Sequence, residues 1–116
     1  MELVQFNKNG GPVSIDIDIE DTNVWSYIYV SDLTFTNKSS TGNPSQHTLG
    51  LPVNLDDDIN SWDIRLGNIG TNNVTVTVTI TWKQDGQVLN VWTRQVNVPA
   101  GAATKISDDA LLDATN

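Results

Sequence analysis

Hydrophobic residues recur at every second position through much of the chain. Residues 13–20 alternate Val13, Ile15, Ile17 and Ile19 with Ser14, Asp16, Asp18 and Glu20. Residues 74–82 alternate Val74, Val76, Val78, Ile80 and Trp82 with Thr75, Thr77, Thr79 and Thr81. A period of two sends successive side chains to opposite faces of a pleated strand, so both segments predict strands with the aliphatic side buried. Their β-branched content fits the same geometry. A shorter segment around Trp62, Ile64 and Leu66 repeats the pattern, with Asp63 and Arg65 outward. In residues 24–30 both faces are apolar: Trp25, Tyr27 and Tyr29 share one parity, while Val24, Ile28 and Val30 share the other.

Turn chemistry divides these segments. Asp85-Gly86 between two alternating runs predicts a two-residue hairpin, because both central positions need positive φ. The strand that follows runs from about Val88 to Val98 and stops at Pro99. Counting back from a Gln84–Gln87 pair puts Thr79 opposite Trp92. Leu89 and Val91 then face inward, and Trp92 lies on the threonine face. Val96 and Val98 have the other parity, which demands a bulge near Thr93–Gln95. A turn at 99–101 leads to a last short strand near residues 103–106. Residues 37–58 are rich in Ser, Asn, Gly and Pro and read as a long connection, pinned by an apolar piece from Leu49 to Leu55. Residues 108–116 read as a short tail beyond a single domain of residues 1–107. Short strands, about seven or eight of them, with no convincing helix predict an all-β antiparallel sandwich.

Residues 66–106 resemble the second half of bacterial immunoglobulin-like modules related to cell-adhesion domains. The resemblance rests on three turns: Asn68–Gly70 before a strand, Asp85-Gly86 in a hairpin, and Pro99-Ala100-Gly101 before the final strand. It covers about a third of the chain and implies an immunoglobulin-like sandwich. Such modules serve as spacers, adhesins and carbohydrate-associated domains, so the resemblance implies no particular ligand and carries over no binding residue.

Fourteen acidic residues against six basic ones give a formal charge of −8. The basic residues are dispersed (Lys8, Lys38, Arg65, Lys83, Arg94 and Lys105), which argues against nucleic acid and anionic lipid, both bound through clustered cations. No apolar run approaches the roughly 20 residues a membrane-spanning helix needs. The first residues lack the pattern of a signal peptide, so a soluble protein is expected, and export would need a route without one. Cysteine is absent, which removes disulfides and thiolate chemistry.

A single histidine, His47 in a Gly- and Pro-flanked loop, offers little support for a catalytic triad, so no enzyme is expected. Asp56, Asp57 and Asp58 form the acidic run best suited to calcium, which seeks six to eight converging oxygens; the other reading is a solvated surface. On the predicted register, Trp92, Arg94, Thr79 and Thr77 share an outer face, a mixture of flat ring, guanidinium and hydroxyls that suits a sugar. Trp25, Tyr27 and Tyr29 then form a ligand or oligomer surface. The expected role is non-catalytic recognition, lectin-like or adhesive, with a glycan or protein partner. The alternative is a structural subunit that forms a homo-oligomer or docks on a larger assembly.

Overall fold

The computed structural model describes the backbone of residues 1–20, 24–30, 33–38 and 45–115, and the side chains of residues 1–20, 24 and 46–115. The described chain is an antiparallel-dominated β-sandwich. Its strands are β1 (Glu2–Asn7), β2 (Val13–Glu20), β3 (Val24–Val30), β4 (Leu33–Lys38) and β5 (Ser45–Gly50), followed by β6 (Ile59–Asn68), β7 (Val74–Gln84), β8 (Gln87–Val98) and β9 (Ala103–Thr115). One 3₁₀ turn, Pro52–Asn54, joins β5 to β6. The first sheet has the order β1-β9-β6-β3-β4 and the second β5-β2-β7-β8. All neighbours are antiparallel except β1 and β9.

The period-two segments supply the core. Val13, Ile15, Ile17 and Ile19 of β2 and Val76, Val78, Ile80 and Trp82 of β7 face Ile64, Leu66 and Trp62 of β6, all of them buried. Each such side chain contributes about 1.5–3 kcal/mol by leaving water. Between the sheets, Trp62 lies 5.4 Å from Trp82 and 5.2 Å from Trp92, centroid to centroid. The tilted and edge-on geometries suit aromatic quadrupoles. Trp82 donates its indole N–H to Asn60 Oδ1 at 3.0 Å, so the buried amide and indole satisfy one another.

The turns behave as their residues dictate. Asp85 and Gly86 take φ of 51° and 75°, and Gln84 pairs with Gln87. Asn68 Oδ1 accepts the amide of Gly70, while its Nδ2 donates to the carbonyls of Asn72 and Val98. Gly101, at φ 70°, occupies the third position of a turn closed by the Ala102 amide on the Pro99 carbonyl.

Three expectations are corrected. The expected tail, residues 108–116, is instead strand through Thr115, because Ala110 and Leu112 enter the core beside β1 and β6. Residues 37–58 are not connection throughout but hold the end of β4 and all of β5, while the apolar piece does pin the stretch as expected, with Leu49 packed against the core and Leu55 buried. The bulge in β8 falls earlier than the parity count placed it. Lys83 pairs with Val88 but Trp82 pairs with Asn90, leaving Leu89 as the extra residue.

Candidate recognition face

The early bulge decides the fate of Trp92. Beyond it, Ile80 pairs with Trp92 and Thr79 with Thr93, so Trp92 turns inward and is only 5% exposed. Val91, expected inside, is 47% exposed. Thr77 and Thr79 lie on the opposite face, half-buried, and the structure therefore does not bring Trp92, Arg94, Thr77 and Thr79 together. Arg94 shares the inward parity, at the edge where β8 approaches β9. Its guanidinium carbon stands 5.0 Å over the Trp92 ring, and its Nη2 lies 3.5 Å from Asp108 Oδ2. The same oxygen accepts the Trp92 indole N–H at 3.3 Å. The Asp108 carboxyl is held below its ordinary pKa, first by the Asp109 amide, then by the Met1 ammonium, the Trp92 indole and the Arg94 guanidinium. The group closes the open edge of the sandwich.

The outer face of the second sheet carries rows of acids, hydroxyls and amides: Asp16–Thr81–Val91, Asp18–Thr79–Thr93 and Glu20–Thr77–Gln95. Asp16 is buried and paired with Lys83. Asp18 has an oxygen shut off from solvent with no hydrogen-bond partner, and its pKa is raised, by burial first and by Glu20 second. The folded chain therefore holds the Asp18 proton above the ordinary value of 3.8, and stability falls as pH rises through the folded pKa. Asp18→Asn is expected to raise the melting temperature at pH 7, with the gain shrinking to nothing as the pH is lowered below the ordinary carboxylate range. Thermal scans across pH check this.

The acidic loop is built differently from the expected Asp56–Asp57–Asp58 set. Asp58 Oδ1 accepts the amide of Ile59, whereas Asp56 and Asp57 converge with Asp113 of β9, their ligand-type oxygens within 4.8 Å of one another. The Ala114 amide occupies Asp56 Oδ1 at 2.9 Å. His47, expected in a solvated loop, stands on β5 opposite Ile15, half-buried, and burial lowers its pKa.

The outer face of the first sheet collects chemistry from four strands. Lys105, Arg65 and Tyr27 form one register row, and Ser107, Asp63 and Tyr29 the next. Trp25 is opposite Gly67, a residue with no side chain to crowd its neighbour. Asp63 lies 3.9 Å from Arg65 Nε and 3.5 Å from Lys105 Nζ, which brings two of the chain's six basic side chains together. The side chains of Trp25, Tyr27 and Tyr29 lie outside the described residues. On the opposite parity, Ile28 pairs with buried Ile64 and Val30 with buried Trp62. Further down the same face stand Asp109–Ser61 and then Leu3–Leu111–Ile59. Ser107 and Leu111 lie beyond the short last strand that the sequence pattern predicts, and Lys105, inside it, meets Arg65 only through the β6–β9 register, which has no local signal. The class that the fold defines is an all-β sandwich, with acids, hydroxyls and amides on the outer face of one sheet and Lys105, Arg65, Asp63 and Ser107 on that of the other. No known protein family matches the chain, and neither characterised proteins nor solved structures compared with it give a match.

Proposed function

We propose that this protein is a non-catalytic, lectin-like recognition module of immunoglobulin-like type that binds glycan on the outer face of the β1-β9-β6-β3-β4 sheet. The observation that carries this reading is the register that aligns Tyr27 with Arg65 and Lys105, and Tyr29 with Asp63 and Ser107. Aromatic positions beside a guanidinium, an ammonium, a carboxylate and a hydroxyl suit a pyranose, whose apolar face stacks on a ring while its hydroxyls take hydrogen bonds. The immunoglobulin-like type is supported by the β9-β6-β3-β4 order with its β3–β4 hairpin. The β7–β8 hairpin, which stands in the chain between the neighbours β6 and β9, departs from the plain plan of that fold. Thr77 and Thr79 have no part in the ligand site on this reading, and Trp92 acts through the core alone.

A glycan array probed with the intact chain tests the proposal. Retention of a defined glycan, weakened about tenfold by Tyr27→Ala or Arg65→Ala with the fold intact, is the expected result. Retention of no glycan, together with a Tyr27-dependent oligomer in light scattering, would assign the aromatic row to a subunit contact instead.

A further inference from the structure

We propose a second interaction surface on the far end of the same sheet, where Leu3, Leu111 and Ile59 dock a basic, apolar-bearing segment of a different protein. This inference does not rest on glycan binding. The three side chains occupy one register row across β1, β9 and β6, all at outward parity. Leu3 is 52% and Ile59 42% exposed, with Leu111 half-buried between them. The row spans two interstrand spacings, about 10 Å, the width of one or two inserted side chains. Acids frame it: Asp109 in the row on one side, Asp113 in the row on the other, and Asp56 and Asp57 beside Asp113. Among the described side chains, the cations of this face are Arg65 and Lys105, three rows away, about 20 Å along the strands.

That polarity distinguishes the occupants. A two-fold copy that set its leucine row on this one would bring Asp109 against Asp113, acid on acid. A copy shifted to match acids with Arg65 and Lys105 would lay the leucine row on those cations. A second copy therefore satisfies the apolar contact or the charges, but not both, and each copy carries a formal −8. A partner with one or two large apolar side chains flanked by Lys or Arg satisfies both, with electrostatic steering of its approach.

The test uses the full chain, in chelator to keep cations off the Asp56–Asp57–Asp113 cluster, titrated with a short peptide of alternating leucine and lysine. A matched peptide with glutamate in place of lysine is the control. The lysine peptide is expected to bind, more weakly at high salt, and the glutamate peptide not to bind. Leu3→Thr combined with Ile59→Thr should weaken binding about tenfold, or 1.4 kcal/mol. Asp109→Asn with Asp113→Asn should do the same at low salt, giving a second variant should the first fail to fold. Glu20→Gln, on the other sheet, should leave binding unchanged. Absence of binding, insensitivity to Leu3 and Ile59, or equal weakening by Glu20→Gln would overturn the proposal. So would a dimer in light scattering that Leu3→Thr dissolves, since a second copy would then cover the row.

Discussion

Trp92→Ala is expected to destabilise the protein by about 3–5 kcal/mol, the cost of removing a large buried aromatic side chain and leaving a cavity. The ring packs edge-on against Trp62, supports the Arg94 guanidinium and donates to Asp108, so its loss also loosens the closure between β8 and β9. Urea denaturation should show a lower midpoint with an unchanged slope. Thr77→Ala and Thr79→Ala, half-buried on the opposite face and away from this cluster, should stay within about 0.5 kcal/mol of the parent. Any loss of binding in Trp92→Ala would then track the fraction unfolded. A Trp92→Ala protein of parental stability would contradict the burial of this ring.

The second large effect is expected at the β7–β8 turn, from the last residue of β7. Gln84 is buried at 4% exposure; its Oε1 accepts the Asn7 amide, and its Nε2 donates to the carbonyls of Asn7 and Gly11. Asp85 accepts the Gly11 amide on the same corner. Together they hold the connection from β1 to β2 over the β7–β8 turn. Gln84→Leu leaves these backbone groups without partners and should cost about 2–3 kcal/mol. Gly10 approaches so closely that a Cβ there would stand 2.6 Å from Gln84 Nε2. Gly10→Ala must therefore push the amide out of its hydrogen bonds, and its cost should overlap with that of Gln84→Leu. A double variant less destabilised than the two singles added together is the expected outcome, by more than the roughly 0.3–0.5 kcal/mol scatter of independent sites. Strict additivity would separate the glycine from the corner.

How far the sequence could be read follows from what each element depends on. In β2, β6 and β7, burial on one face writes the fold directly as period two: the inward residues expected there are buried, Val74 only partly, and Asp16 on the outer side is buried as well, in its pair with Lys83. The Asp85-Gly86 turn was equally legible, because its positive φ is a local demand of two residues. The bulge was harder. Trp92, Val96 and Val98 share a parity, so one extra residue before Trp92 reconciles all three, and Leu89 is that residue. Placing the bulge after Trp92 saved the hairpin count but put the wrong ring outside. β9 was obscured by Asp108 and Asp109, whose charges interrupt an otherwise alternating Ala110, Leu112 and Ala114. The parallel pairing of β1 with β9 joins the two ends of the chain and has no local signature. Asp113 joined Asp56 and Asp57 for the same reason, since only the pairing of β9 with the residues before β6 brings them close.

Assignment of recognition to the outer face of the five-stranded sheet is tested most directly by amide-shift mapping during titration with the glycan an array selects. Perturbations are expected in β3 from Trp25 to Tyr29, in β6 at Asp63 and Arg65, and in β9 at Lys105 and Ser107. Shifts confined to β2, β7 and β8, or none at saturating glycan, would contradict it.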